Sequence, residues 1–94
     1  MSHLHGLEKF KAATLNLVGP GDIHARVQAA LGQHLIHLSP NEDVPEIIQG
    51  QLQALIGQYH DNSVEKIKSL SELDAEHLAQ RIVHMLCQWL ESMH

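Results

Sequence analysis

Residues 74–93 of the chain read DAEHLAQRIVHMLCQWLESM, and their apolar pattern decides the fold. At about 100° per residue, the apolar side chains fill an arc of roughly 200°, and the opposite side is polar. The arc consists of Leu78, Ala79, Ile82, Val83, Met85, Leu86, Cys87, Trp89, Leu90 and Met93. The buried stripe of a surface helix is usually a little over roughly 100° wide. This stretch therefore predicts a final helix that lies centrally among the others or buries part of its arc against another chain.

Two further amphipathic helices are predicted in the first part of the chain. One covers about residues 4–18, and Gly19-Pro20-Gly21 ends it, because proline removes a backbone donor and glycine relaxes the chain. Asp22 is placed to cap the next helix, which covers residues 23–38. The apolar stripes are Leu7, Phe10, Ala13, Leu17 and Val18 on the first helix, and Ile23, Val27, Ala30, Leu31, Leu35 and Leu38 on the second. Both stripes have the steps of three and four residues that are typical of an α-helix.

A third helix is predicted over residues 44–59, after a turn at residues 39–43. We interpret Asp43 as its N-cap, with Pro45 in the first turn and Glu46 three residues after the cap. Its apolar stripe consists of Ile48, Leu52, Leu55, Ile56 and Tyr59.

One more short helix is predicted between the third helix and the final one. Ser63 is placed to cap it, and its apolar positions are Val64, Ile67 and Leu70. Ser71 or Asp74 is placed to cap the final helix. The pattern leaves open whether these two segments are continuous.

Length and composition indicate one small domain that covers residues 1–94. A chain of 94 residues can build one hydrophobic core but not two. The only aromatic side chains are Phe10, Tyr59 and Trp89, so aliphatic side chains must fill that core. We expect an all-α fold, a small antiparallel helical bundle of four to five amphipathic helices.

The charge pattern argues against several classes of protein. The formal net charge is −5, and only Arg26 and Arg81 are arginines, so a large nucleic-acid footprint is not expected. Cys87 is the only cysteine, which excludes an internal disulfide and fits a cytoplasmic location. No stretch approaches the roughly 18 apolar residues of a membrane span, and the first residues do not resemble a secretion signal.

The histidines carry one hypothesis about metal binding. The chain has nine of them, and His34 and His37 are three residues apart, as are His84 and Cys87. Docking of the two helices can in principle assemble a four-ligand site for zinc from these residues. The favoured interpretation is simpler: His84 is a solvated surface residue, Cys87 is a buried and inert thiol, and His34 is half-buried and hydrogen-bonded. On that interpretation no cofactor is bound.

The third helix carries a hypothesis about an interface. Gly50, Ala54 and Gly57 share a flank with Ile47, and glycine inside a helix costs roughly 1 kcal/mol relative to alanine. Close approach of another helix, inside the domain or across a dimer interface, explains such a flank. Together with Met85 and Trp89 on the wide arc of the final helix, these residues are the predicted interface.

Three functions are compatible with this pattern. The first is a non-enzymatic interaction module that binds a protein partner or itself as a homodimer, since no catalytic motif is present. The second is a nucleic-acid-binding regulator in which the second and third helices form a helix-turn-helix, although the third helix has no Lys or Arg. The third is a metal- or pH-responsive protein that uses its histidines.

Overall fold

A computed structural model describes residues 3–93, and this part of the chain is helical without any strand. The elements are α1 (Leu4–Leu17), α2 (Ile23–Gln33), a 3₁₀ turn (Leu35–His37), α3 (Pro40–Asp43), α4 (Glu46–Tyr59), α5 (Ser63–Lys68) and α6 (Glu72–Ser92). The predicted all-α class is confirmed. Because α3 is a single turn and α5 is short, the fold has four main helices, which agrees with the predicted bundle.

Helix α6 is the centre of the bundle, since it packs against α1, α2 and α4. The part of its arc that faces these helices is buried. The buried side chains of this part are Ala75, Leu78, Ile82, Met85, Leu86 and Trp89. The other part of the arc, which includes Val83 and Leu90, stays exposed. The wide arc therefore both fills the core and leaves an apolar strip at the surface.

Helices α1 and α6 run antiparallel beside each other. At one end Leu7 lines a hollow together with Trp89 and Met93, and at the other end Leu17 lines a groove together with Ala79. Side chains on successive turns of α6 thus contact α1 at successive positions along its axis. We call this line of contact between α1 and α6 the seam. This places the last helix of the described chain against the first.

The second helix ends earlier than predicted. It stops at Gln33, and the next residues form a 3₁₀ turn rather than a continuation to Leu38. Side chains three residues apart lie on the same side of a 3₁₀ helix. The tighter turn therefore buries both Leu35 and Leu38, while the chain changes direction toward α3.

The start of α4 also differs from the prediction. Val44 is extended, as residues before a proline usually are, so a helix cannot run through it to include Pro45. Helix α4 begins at Glu46 instead. Asp43 does not cap it; its Oδ2 accepts a hydrogen bond from the Ser39 backbone N–H at 2.8 Å and closes the α3 turn.

Two of the predicted helix caps are confirmed, and the one at Ser63, like the one at Asp43, is wrong. Asp22 Oδ1 accepts from the Ala25 N–H at 2.8 Å, and Ser71 Oγ accepts from the Asp74 N–H at 3.0 Å. Ser63 is the first residue of α5 rather than its cap. The cap position belongs to Asn62, whose φ of 55° lies in the left-handed region that asparagine tolerates better than most residues. The break between α5 and α6 shows that the two segments are separate helices.

Gly6 fixes how closely α1 approaches α3. It is buried, and a Cβ atom at this position would overlap the backbone carbonyl oxygen of Asp43. Only glycine lets the two backbones come this close.

Candidate interaction surface

Several exposed apolar side chains lie on α1, just after it and on α6, the two helices that share a groove. Leu15 and Val18 on α1 are 69% and 75% exposed, and Val83 and Leu90 on α6 are exposed as well. We call Leu15, Val18, Val83, Cys87 and Leu90 the α1–α6 surface. Exposed apolar patches with polar rims mark interaction sites more often than isolated apolar residues do.

A groove of about 490 Å³ runs through this surface. Its floor is apolar and its rim on α6 is polar, with Gln80, His84 and Glu91. The apolar lining residues are Leu17, Val18, Ala79, Val83 and Cys87. The surface therefore combines an apolar groove with Val18, which lines it and is strongly exposed, and with Leu15, which lies three residues earlier on α1.

The pattern of the sequence did not identify the α1 part of this surface. Val18 was expected on the buried stripe of the first helix, but α1 ends at Leu17 and the side chain of Val18 is at the surface. Leu15 falls outside the buried stripe by its position on the helix. The position of Leu15, an apolar residue outside the buried stripe, was the signal in the sequence that could have identified this part of the surface.

The flank of α4 that carries two glycines is open. Ile47, Gly50, Ala54 and Gly57 are all exposed. A Cβ atom at Gly50 or Gly57 would meet no other atom within 4 Å. Packing inside the domain therefore does not explain these glycines.

Two residues of the predicted interface lie in the core, so that part of the prediction is corrected. Met85 is 1% exposed and Trp89 is 4% exposed. Both point toward α1, α2 and α4 rather than outward, because α6 is central in the bundle. The order of the helices in space decides which part of the arc is outside, and a periodic pattern does not contain that order.

The four residues proposed as metal ligands do not form a site. His34 is the C-cap of α2 and His37 closes the 3₁₀ turn, whereas His84 and Cys87 lie on α6 at the groove. Within residues 3–93, no three side chains of His, Cys, Asp or Glu are grouped so that they can hold a metal ion. The described chain therefore offers no zinc centre built from these four residues. Cys87 is exposed, so the prediction that its thiol is buried is wrong.

His34 is half-buried as expected, but it lacks the expected hydrogen bond. Its Nδ1 atom is buried, and no partner for it exists among the described residues. Burial lowers the pKa of the His34 imidazole below its ordinary value of 6.5, and the nearby charges of Lys9 and His37 lower it further. The neutral imidazole is thus the form that this site accepts.

The connection between α2 and α4 does not resemble that of a helix-turn-helix. It covers residues 34–45 and contains both the 3₁₀ turn and α3. The DNA-binding motif joins its helices by a turn of roughly three to four residues. This geometry gives the nucleic-acid hypothesis no support.

The fold and the surface together define a small all-α protein with an exposed apolar seam. No helix in the described part of the chain has the length and apolar character that crossing a membrane requires. No family model matches the chain, and no curated protein or solved structure is significantly similar to it.

Proposed function

We propose that the protein is a non-enzymatic helical interaction module that forms a homodimer through the α1–α6 surface. The observation that carries this proposal is the position of Val18, a strongly exposed apolar side chain that lines an apolar groove, with the exposed Leu15 three residues before it. The exposed side chains of Leu15 and Val18 and the apolar groove all belong to the α1–α6 surface of one chain. A two-fold axis then satisfies both, because each copy inserts its exposed side chains into the groove of the other.

The antiparallel seam determines how two copies fit. A two-fold axis parallel to the helices places α1 of one copy over α6 of the other and preserves the height of each residue along the seam. Val18, which lines the same groove as Val83, then meets the apolar groove of the second copy. The α1 and α6 helices of the two copies, four helices in all, then form a bundle in which each α1 is antiparallel to both copies of α6. Such bundles are a common way to bury apolar strips.

The charges at the edges of the surface favour a second copy as the partner. Lys11 is exposed and lies four residues before Leu15, so both are on the same side of α1. Glu91 is on the α6 rim of the groove. In the two-fold arrangement Lys11 of one copy approaches Glu91 of the partner subunit, and this contact occurs twice.

A cytoplasmic location belongs to the same proposal. Cys87 is an exposed free thiol within the surface, and thiols of this kind persist in reducing compartments.

The molar mass in solution tests the dimer. We expect light scattering on a sizing column to give twice the chain mass at high micromolar concentration. Leu15→Gln and Leu90→Gln each remove an apolar contact and are expected to weaken the dimer at least tenfold. The matched control is Leu73→Gln, an exposed leucine of α6 outside the surface, which should leave the dimer unchanged. A monomer at every concentration, or equal effects of all three substitutions, would refute the proposal.

A charge exchange tests the orientation of the two copies. Lys11→Glu and Glu91→Lys each place like charges opposite one another, so each is expected to weaken the dimer. The double variant restores opposite charges and is expected to recover it, as a coupling between the two sites requires. Additive weakening in the double variant would exclude the two-fold arrangement. A dimer with another geometry would then still be tested by the Leu15→Gln and Leu90→Gln variants.

A further inference from the structure

A second cleft, between α4 and α6, has a different character from the apolar groove. Its volume is about 300 Å³. It is lined by Gln51, His77, Gln80, Arg81, His84 and Gln88. Every polar side chain in this lining is an amide, an imidazole or a guanidinium, and no carboxylate is among them. Such a lining is unusual in a chain whose acids outnumber its lysines and arginines by eleven to six.

Helical spacing brings the three basic side chains to one face. Arg81 lies four residues after His77 and three residues before His84, so the two imidazoles flank the guanidinium by about one turn on each side. The whole group spans about 10 Å of the helix. That spacing separates the imidazoles too far to share a metal ion, but it allows both to surround a polyatomic anion next to Arg81.

The guanidinium of Arg81 is free of protein partners. Among the described residues it makes neither an ion pair nor a hydrogen bond. The other arginine is used structurally, since Arg26 Nη1 donates to the Leu17 carbonyl oxygen at 3.0 Å. The five donors of the Arg81 fork are therefore available to a ligand.

The amides of the cleft supply further donors. Gln51 Nε2 donates to Gln88 Oε1 at 2.8 Å, which holds the two amides together across the helices. The Nε2 group of Gln88 remains able to donate to a ligand.

The charged groups around the cleft do not compensate Arg81. Helix α4 contributes only Gln51, which is neutral, to the lining. On α6 the acids nearest in sequence are Asp74, three residues before His77, Glu76, and Glu91, which lines the other groove. None of them lines this cleft.

We propose that the cleft binds a small molecule through a phosphate group. Arg81 donates two parallel hydrogen bonds to the oxygens, a geometry that guanidinium and phosphate share. His77, His84 and the Gln88 amide donate to the remaining oxygens. The volume lies at the lower end of that of small-molecule sites, which fits a compact phosphate ester or free phosphate rather than a large ligand.

Titration with inorganic phosphate, followed by the imidazole and Arg81 side-chain signals in NMR spectra, tests the site. We expect saturable shifts of His77, His84 and Arg81. Arg81→Gln is expected to weaken binding at least tenfold, and Arg81→Lys is expected to weaken it less, since lysine keeps the charge but not the fork. The control Lys68→Gln removes one positive charge elsewhere on the surface and should leave binding unchanged. Circular dichroism verifies that each variant is folded.

The two imidazoles are tested separately from the guanidinium. The double variant His77→Ala and His84→Ala keeps Arg81 but removes two donors to the oxygens, so it is expected to bind both sulfate and phosphate more weakly than the wild-type chain. A phosphate ester such as glycerol phosphate that binds more tightly than free phosphate indicates an organic ligand, and equal binding indicates the free ion.

Three results would overturn the proposal: no saturable shift at millimolar phosphate, equal weakening by Arg81→Gln and Lys68→Gln, or binding by the double variant His77→Ala and His84→Ala that equals that of the wild-type chain. The dimer proposal is tested separately, because Leu15→Gln alters the apolar surface and none of the residues that line this cleft.

Discussion

The rings of Phe10 and Trp89 meet edge to face, with centroids 5.9 Å apart and planes at 78°. The His3 ring contacts the same tryptophan in a similar geometry, at 6.1 Å and 80°. Such pairs contribute about 0.5–1.5 kcal/mol beyond the burial of their area. Trp89 therefore joins the first and last helices of the described chain.

Trp89→Ala is expected to lower the free energy of unfolding by about 3–5 kcal/mol, because it removes the largest side chain of the seam and leaves a cavity. Urea unfolding followed by circular dichroism measures this loss. Leu73→Ala truncates an exposed side chain of the same helix and should cost less than about 0.5 kcal/mol. A loss below about 1 kcal/mol for Trp89→Ala would contradict the central position of α6.

The stability of the protein is expected to fall below about pH 6.5 because of His34. Its pKa is lower in the folded chain than in the unfolded chain, where it is near the ordinary value of 6.5. Between these two values the unfolded chain binds more protons, so stability is complete above pH 6.5 and decreases as the pH falls through the folded pKa. Unfolding in urea at several pH values between 7.5 and 5 measures the slope.

His34→Gln removes the titrating group and should make this slope shallower. Lys9→Gln removes one of the charges that lower the pKa of His34, so it is expected to raise that pKa toward 6.5 in an NMR titration. Identical slopes in the wild-type and His34→Gln chains would be inconsistent with this account.

Gly50→Ala is expected to stabilise the chain by about 0.5–1 kcal/mol. A helix-interior glycine costs roughly this amount relative to alanine, and a Cβ atom here meets no neighbour. The melting temperature measures the gain. The molar mass of the dimer should not change, because Gly50 is outside the α1–α6 surface. A dimer lost in Gly50→Ala would instead identify the α4 flank as the interface.

Gly6→Ala is expected to have the opposite effect and to cost about 1–3 kcal/mol. The new methyl group would overlap a backbone oxygen of α3, which cannot move aside as a flexible side chain can. Denaturant unfolding compares the two alanine variants directly. Equal stability of Gly6→Ala and the wild-type chain would show that α1 and α3 are not held at this distance.

Ser71→Ala is expected to cost about 1 kcal/mol, since it removes the oxygen that caps α6. Ser63→Ala is the matched control, because Ser63 follows the cap position of α5 and accepts no capping hydrogen bond. Thermal unfolding should therefore distinguish the two serines. Equal losses would contradict the assignment of the caps.

Local patterns predicted the helices well where neighbouring residues decide the outcome. Ile48, Leu52 and Leu55 recur at the helical period and are all buried. Asp22 and Ser71 cap because the donors that they satisfy lie three residues later on the same chain. Pro45 is an equally local signal, because it keeps Val44 extended and so places the start of α4 at Glu46. The predicted start at residue 44 did not take this effect into account.

The outer surface depends on the arrangement of helices in space, which no short pattern contains. The arc of α6 contains both Val83 and Met85, yet only Met85 is buried, because the neighbours of α6 cover one side of the arc. The flank of α4 at Gly50 is exposed for the same reason, because no other helix covers that side of α4. The metal hypothesis likewise required α2 to present His34 and His37 to α6, and the early end of α2 changes the direction of both side chains.

The seam between α1 and α6 also affects the order in which the chain folds. Phe10 and Trp89 are separated by 79 positions (89 minus 10) in a chain of 94 residues. Closing so long a loop is entropically costly, so this contact is expected to form late in folding. During synthesis α1 emerges before α6, so Phe10 lacks its tryptophan partner until residue 89 has been made. We therefore expect part of the apolar face of α1 to stay exposed to solvent until α6 packs against it.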